Sequence, residues 1–478
     1  MGSVKDNLML KVIGYLIIFI TFCLLPPVGS ITIEGMRLLG VFIAFIYGLT
    51  VTSEVWPSLL TIVILPLIGL IDFTDLLSYS FGNDVFIFVL LSLVLVSYMD
   101  SSGASTFAAV WLLKRPFLKG HPWYLFFMLL FICWLLSSFV NAIAGMMLVW
   151  IFLYKIFDQF DLKPFEKLPT IILIGTCVTG GLGLSTLPWG NNSIVILDAF
   201  TKNTGLEVNY FLYMGYSIPY SIAAILVYLF LARFLFRVDV EAIKEFDPDT
   251  LSQESQVLTR EKACALLSIA ALVLLILVPT LFPSNSLVAT VSNQLKLSGK
   301  LIAVFAFLQI YKINGKPACS FVKNAKAGIN WNLMMVIVNI MAFSALISSD
   351  EVGLNTSLAN SIAPFFENKP SLLFIVLAGI MTVTVTNFMS NKIVAVLMIS
   401  ITMPIAQSLG VNPTQLACLY TVICTVAFLL PSSSQSSVVL FSNTKWIRAG
   451  DVFKYGFPVL IVLTIIQLGW NIIYFHSF

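Results

Sequence analysis

Apolar runs recur along the whole chain, and short polar or charged loops separate them. A membrane-spanning helix needs about 20 apolar residues. By this criterion the pattern predicts about 11 spanning helices, near residues 10–27, 31–51, 56–71, 84–112, 168–199, 209–236, 263–282, 298–311, 330–347, 412–440 and 453–475. We therefore expect an all-α integral membrane protein.

Two further segments, 123–157 and 372–407, are apolar at both ends and polar in the middle. Their centres read "SSFVN" (137–141) and "TNFMSN" (386–391). Non-helical backbone at membrane depth is tolerated only inside protein or beside a water-filled cavity. Each segment is about 35 residues long, so the pattern predicts two re-entrant helical hairpins, with two full spans as the alternative at each place.

Composition and charge support this topology. The chain is 59% hydrophobic and only 10% charged, whereas soluble domains carry about 25% charged residues. With a cytoplasmic N-terminus and two re-entrant hairpins, 20 of the 26 lysines and arginines fall on the cytoplasmic side. Cytoplasmic loops are enriched in these residues, so we expect a multi-pass protein of the plasma membrane with its N-terminus in the cytoplasm.

The two halves of the chain echo each other. "TLPWGNNSIVIL" (186–197) matches "LLPSSSQSSVVL" (429–440), and a charged stretch at 238–262 reads as a linker. The first hairpin opens to the cytoplasm and the second outward, which predicts inverted repeats, as in secondary transporters with a site near the membrane midplane. The predicted units are first-repeat scaffold helices (1–120), a first-repeat transport part (121–236), a cytoplasmic linker (237–262), second-repeat scaffold helices (263–366) and a second-repeat transport part (367–478).

Polar residues inside the membrane are confined to the two hairpin tips and to two helix breaks, "TGGLGLSTLPWGNNS" (179–193) and "LPSSSQSS" (430–437). Glycine and proline unwind a helix there, so helix N-termini can attract anions and freed carbonyls can bind cations. The 23 acidic residues all lie outside the hairpin arms and the breaks. A proton pump usually carries a mid-span acid, so this absence favours an anionic substrate.

Other classes of function fit the pattern less well. An anion channel would need a continuous polar face across several spans, and we keep it as an alternative. The two histidines, His121 and His476, flank helices, and the seven cysteines form no C-x-x-C pair. We therefore predict a protein that is not an enzyme, holds no metal and no cofactor, and binds no nucleic acid; its partners are a small anion and the lipid bilayer.

From these motifs the chain resembles the divalent-anion:sodium symporter family of the ion transporter superfamily over nearly its full length. That family carries Ser-Asn-Thr at both hairpin tips, and Ser390-Asn391-Lys392 matches two of the three positions of the second tip. Thr386 matches a position that contributes to a sodium site in the family. The resemblance implies an elevator mechanism, a homodimer, di- or tricarboxylates or sulfate as substrates, and sodium as the coupling ion. Other carriers of the superfamily, for arsenite or sodium/proton exchange, remain alternatives.

The resemblance also implies site residues. Substrate contacts are expected at Ser138, Asn141, Asn191, Asn192, Ser390, Asn391, Lys392, Ser434 and Gln435, and ion contacts at Ser137, Gly190, Thr386, Asn391 and Ser433. The first tip, "SSFVNAIAG", departs from Ser-Asn-Thr. The turns in the two broken helices also depart from the turn sequence that the family carries there. The literal Ser442-Asn443-Thr444 lies about 50 residues past the second tip, beside Lys445, and is assigned no binding role.

Lys392 stands where the family places threonine. An unpaired ammonium near the bilayer centre costs about 2.5–3.5 kcal/mol on insertion scales. A lysine stem of about 6 Å cannot reach bulk water from a tip about 25 Å along a helix from either mouth. The interpretations are a direct or water-mediated substrate contact or a substitute for a sodium charge, a cap on hairpin carbonyls, and exposure to an aqueous cavity. A substitute for sodium predicts reduced or absent sodium dependence.

Overall fold

The computed structural model describes residues 8–52, 54–245, 257–283, 286–347, 350–353, 357, 370–388, 390–430 and 433–476. The first half contains α1 (Leu8–Leu24), α2 (Ile33–Val51), α3 (Trp56–Leu67), α4 (Phe73–Ser80), α5 (Asp84–Ser101), α6 (Ala104–Leu113), α7 (Pro122–Phe139), α8 (Ala142–Gln159), α9 (Lys167–Gly183), α10 (Ser193–Thr204) and α11 (Tyr210–Phe230), which a π-helical turn (Leu231–Leu235) extends. Residues 246–256 of the predicted linker lie outside the described residues.

The second half contains α12 (Arg260–Leu277), α13 (Leu287–Ile310), α14 (Phe321–Gly328), α15 (Trp331–Ile347), α16 (Ser371–Thr386), α17 (Asn391–Ser408), α18 (Pro413–Ile423), α19 (Gln435–Ser442) and α20 (Ala449–His476). Between α13 and α14, strands β1 (Lys312–Ile313) and β2 (Lys316–Pro317) form a small antiparallel hairpin. Short 3-10 turns occur at Pro116–Leu118, Glu241–Glu245, Val278–Leu281, Asp350–Val352 and Cys424–Val426.

By length and composition, six helices of the described chain can each cross a membrane: α5, α7, α8, α11 with its π-turn, α17 and α20. The pair α14–α15, bent by 77°, would make a seventh. Several predicted spans instead contain shorter apolar helices, among them α1, α3, α9 and α18. The fold is thus all-α with multiple membrane-spanning candidates, and the count of about 11 stays a prediction.

Three predicted helices have the wrong bounds. The span near 84–112 is two helices, because Gly103 between them adopts a left-handed φ of 73° that glycine reaches without a Cβ penalty. The span near 298–311 begins at Leu287 and breaks at Lys296, whose φ is 51°. The span near 56–71 ends at Leu67, and Asp72 caps a separate short helix, α4, by accepting from the Asp75 backbone N–H at 2.8 Å.

Both segments predicted as re-entrant hairpins form helix pairs with tight connections. Their re-entrant course stays a prediction, because α7, α8 and α17 are each long and apolar enough to cross a membrane. Val140 and Asn141 join α7 to α8, and the Asn141 side chain caps α8 by accepting from the Ile143 backbone N–H at 2.8 Å. Asparagine is among the preferred N-cap residues because its oxygen satisfies a free helical N–H group. Residues 387–390 join α16 to α17, and Met389 within them lies outside the described residues.

Both predicted helix breaks are present as well. Residues 184–192 separate α9 from α10, and α18 ends in a 3-10 turn (Cys424–Val426) before α19 begins at Gln435. The segments α9 and α19 pack on each other, as do α10 and α17. The two breaks and the two hairpin tips therefore meet in the interior of one helical body.

A buried polar network joins α11 to α18 and α20. The Tyr216 hydroxyl accepts from Gln467 Nε2 at 2.6 Å and from Asn471 Nδ2 at 3.1 Å. Asn471 in turn accepts from Gln415 Nε2 at 3.1 Å. All four side chains are buried, so the network fixes how the last helix packs on the broken helices.

Replacing Tyr216 with phenylalanine should lower the free energy of unfolding by about 1–3 kcal/mol, because two buried amide groups lose a partner without gaining water. Thermal unfolding of the purified protein in detergent measures this. Tyr79→Phe is the matched control, because Tyr79 is 51% exposed and an exposed hydroxyl should contribute under about 0.5 kcal/mol. Equal unfolding temperatures for the two variants would contradict the network's role.

Candidate substrate-binding site

A small cavity of about 70 Å³ lies between the first hairpin tip and the first helix break. Four predicted site residues line it: Ser137, Ser138, Gly190 and Asn191. Helices α5 and α12 close the opposite side with mainly apolar side chains, namely Phe88, Val89, Leu93, Ile269, Leu272 and Val273. Typical ligand pockets measure about 300–1,000 Å³, so a substrate can enter only when this cavity widens.

Ser137 is the one residue of the first tip whose hydroxyl is uncommitted. It is 4% exposed, and its Oγ has no hydrogen-bond partner within the described part of the chain. By contrast, Ser138 Oγ donates to the Trp134 carbonyl at 2.8 Å, and Asn141 caps α8. Ser138 and Asn141 therefore stabilise the hairpin itself, whereas the Ser137 hydroxyl is buried without a hydrogen-bond partner among the described residues.

The first break is held rigidly by its neighbours. The Ser185 carbonyl accepts from the Tyr213 hydroxyl at 2.5 Å, and the Thr186 carbonyl accepts from Ser217 Oγ at 2.6 Å. A Cβ on Gly190 would lie 2.9 Å from two carbonyl oxygens of the same turn, so only glycine fits there. Asn192 is buried, and its backbone N–H donates to the Leu184 carbonyl at 3.2 Å, which closes the turn.

The second hairpin tip is tied to itself and to the second break. Thr386 Oγ1 donates to Asn391 Oδ1 at 2.8 Å, whereas Asn391 Nδ2 is buried and has no partner in the described residues. Asn387 Oδ1 accepts from the Leu429 backbone N–H at 3.2 Å. Ser390 is the N-cap residue of α17, and its side chain makes no cap hydrogen bond.

Serine hydroxyls of the second break bond mainly to one another. Ser433 Oγ donates to the Leu430 carbonyl at 2.7 Å and lies 2.9 Å from Ser437 Oγ. Ser434 caps α19 by accepting from the Ser437 backbone N–H at 3.2 Å. Gln435 begins α19, and its side chain lies outside the described residues. Among the described residues, Ser433 and Ser434 thus bond within the second break, and neither lines the cavity.

Lys392 connects the two halves of the site. Its Nζ donates to Asn191 Oδ1 at 2.6 Å, across 201 positions of sequence. The lysine is 6% exposed, and the ion pairs found among the described residues do not include it. Its partner is thus a neutral amide on the wall of the cavity, and Lys392 itself does not line that cavity.

Part of the cavity wall was not predicted from the sequence. Trp189 lines it from the break, and Phe88, Ser92 and Val96 line it from α5. The available signal was Ser92, a serine at the centre of an apolar span, with Phe88 and Val96 four residues away on either side. Asn443, in the literal Ser-Asn-Thr motif, donates to the Tyr154 hydroxyl at 2.9 Å at the end of α19, away from the cavity.

Residues 41–314 and 297–477 match the model of a family described as citrate transporter. The chain belongs to this citrate transporter family. That membership places it among transporters and not among enzymes, and it confirms the resemblance to the divalent-anion:sodium symporters.

Three curated proteins show the same kinship over shorter stretches. Solute carrier family 13 member 1 of Homo sapiens is 26% identical over 31% of this chain and 24% of its own length. Sodium-dependent high-affinity dicarboxylate transporter 2 of Caenorhabditis elegans is 29% identical over 30% and 25%, respectively. Na(+)/dicarboxylate cotransporter 3 of Rattus norvegicus is 28% identical over 31% and 24%. The matched stretch thus spans about a quarter of the length of these relatives.

Two solved structures share the fold. The YdaH transporter of Alcanivorax borkumensis aligns with a TM-score of 0.55 and 15% identity, over 84% of this chain and 87% of that one. MtrF of Neisseria gonorrhoeae aligns with a TM-score of 0.54 and 11% identity, over 98% and 95%. At these identities the likeness concerns the fold alone.

Proposed function

We propose that this citrate transporter family member is a secondary carrier of small divalent anions, above all di- or tricarboxylates, in the plasma membrane. One observation carries the proposal: the first tip and the first break enclose a cavity with hydroxyl and amide groups, and a buried ammonium bonds to that amide. Acidic side chains, which would repel an anion, are absent from the described lining. The dicarboxylate transporters among the relatives support the same class of substrate.

Sodium dependence is proposed to be reduced or absent. A sodium ion needs several oxygen ligands, and Lys392 places a cation that only donates hydrogen bonds at the second tip. The charge that a bound cation would supply to an anionic substrate is then supplied by the chain itself. The sodium-coupled relatives keep sodium as the candidate coupling ion, with Ser137 and Gly190 of the first tip and break as the remaining candidate ligands.

Movement is proposed to follow an elevator mechanism in a homodimer built from inverted repeats. Hairpins and broken helices of both halves pack on one another through α7–α9, α9–α19, α10–α17 and α18–α20, whereas α5, α12, α13 and α14 pack among themselves. In each half a helix hairpin, a broken helix and a long helix follow in the same order. The first group would form the moving transport part and the second the scaffold.

Uptake of radiolabelled citrate, succinate and sulfate into proteoliposomes tests the proposal. We expect uptake of at least one of these anions at least about tenfold above that of protein-free liposomes, a difference worth about 1.4 kcal/mol in barrier height. Asn443→Ala is the matched control and should keep uptake within about twofold, because Asn443 bonds away from the cavity. Uptake at the protein-free level for all three anions would contradict the function.

A further inference from the structure

We propose that Lys392 acts on the substrate through Asn191, by turning the Asn191 amide so that its NH₂ group faces the cavity and binds an anionic oxygen. The proposal rests on the proposed anion transport and adds a specificity determinant to it. Lys392 is then a positioning residue and makes no direct substrate contact, unlike the contact expected from the sequence.

The chemistry of the two side chains fixes the orientation of the amide. A lysine ammonium has three donors and no acceptor, whereas an asparagine amide has an acceptor oxygen and a donor nitrogen. Only Asn191 Oδ1 can therefore face Lys392 Nζ at 2.6 Å. Because the amide is planar, Nδ2 and Oδ1 point to different sides. Asn191 lines the cavity and Lys392 does not, so we place Nδ2 toward the cavity.

The orientation of the Asn191 amide decides which ligands bind at this wall. With Asn191 Nδ2 placed toward the cavity, the wall offers an amide donor, and the described lining supplies neither a carboxylate nor a second side-chain amide. A carboxylate or sulfate oxygen can accept from Asn191 Nδ2, and the ammonium bound to the oxygen of the same amide strengthens that bond. A free asparagine could instead turn its oxygen inward and bind a cation, so the lysine selects anions over cations at this wall.

The same hydrogen bond would be present if its role were only to stabilise the packing of the two halves of the chain, which we call a structural tie. The two interpretations differ in what a change of donor and acceptor does. A tie needs only a strong bond between positions 191 and 392, whereas the positioning role needs an amide hydrogen that points into the cavity. Asn191→Asp separates them, because aspartate pairs more strongly with lysine and has no hydrogen to donate.

Equilibrium binding of radiolabelled citrate to the purified full-length protein, with thermal unfolding in parallel, is the test. Asn191→Asp should keep or raise the unfolding temperature and weaken citrate binding at least about fiftyfold. Lys392→Arg, which also only donates, should stay within about fivefold of wild type in choline buffer. Lys392→Glu, whose carboxylate only accepts hydrogen bonds, should lose citrate binding in choline buffer. In sodium buffer its citrate affinity should be at least about tenfold higher than in choline, because the amide oxygen of Asn191 would then face the cavity and bind a cation.

Wild-type citrate affinity in Asn191→Asp, or equal losses in Lys392→Arg and Lys392→Glu without a sodium effect, would overturn the positioning role. If Lys392→Glu does not fold, Asn191→Asp alone decides. If the wild-type protein neither binds nor transports citrate, succinate or sulfate, the proposed function itself is refuted. That result differs from normal wild-type binding in which the variants do not show the expected order of affinities.

Discussion

Lys392→Thr should make anion transport depend on sodium. The variant restores the Ser-Asn-Thr triplet that sodium-coupled members of the resembled family carry, and it removes the ammonium bound to Asn191. The anion then lacks a fixed counter-charge, so a bound cation must supply it. We expect the ratio of uptake in sodium to uptake in choline to rise from about one to at least about ten, equivalent to about 1.4 kcal/mol of coupling.

Proteoliposomes with an imposed sodium gradient measure this ratio for wild type and variant side by side. Lys445→Thr is the matched control, because Lys445 is exposed and lies beyond the second break; its ratio should equal that of wild type. A ratio of ten or more in wild type that Lys392→Thr leaves unchanged would show that the lysine replaces no cation.

Gly183→Ala should abolish transport and destabilise the fold. A Cβ at Gly183 would lie 2.4 Å from Ser137 Cβ and 2.7 Å from the Trp134 carbonyl oxygen. Backbone of the first hairpin tip cannot yield without displacing Ser137, so the added methyl group pushes the tip away from the break. We expect a loss of about 1–3 kcal/mol of stability, as for other overpacked cores, together with near-complete loss of citrate uptake.

Gly180→Ala, one turn earlier in the same helix, is the control. Its Cβ would meet Met146 Cγ at 3.2 Å and Sδ at 3.3 Å, and a flexible methionine side chain can move aside. Thermal unfolding and citrate uptake of both variants check the contrast. Equal behaviour of Gly180→Ala and Gly183→Ala would mean that close packing of the first tip on the break is not required.

Much of this architecture could be predicted from residue patterns. Polar centres in segments 123–157 and 372–407 located both hairpin tips, and glycine, proline and serine clusters located both helix breaks. These signals are local, because unwound backbone in an apolar surrounding needs polar or small residues at that very place. Missing acids between Glu367 and Asp451 likewise indicated that Lys392 would find no carboxylate nearby in the chain.

Long-range pairing could not be predicted in the same way. The partner of Lys392 is 201 residues away, and hydropathy does not say which of several neutral polar residues it would be. The sequence also could not show which serine of the first tip forms a hydrogen bond. Ser137 and Ser138 are adjacent and chemically identical, and only the packing leaves the Ser137 hydroxyl without a partner in the described residues. Two predicted helices are interrupted at Gly103 and Lys296, which have positive φ angles. The pattern of apolar residues carries no information about these angles.

In the proposed mechanism, Lys392 provides the positive charge that a coupling ion would otherwise bring to the anion. Equilibrium binding of radiolabelled citrate to the wild-type protein, in sodium and in choline buffers of equal ionic strength, tests it most directly. We expect dissociation constants within about threefold of each other, which is under about 1 kcal/mol. Binding at least about tenfold tighter in sodium than in choline would contradict it.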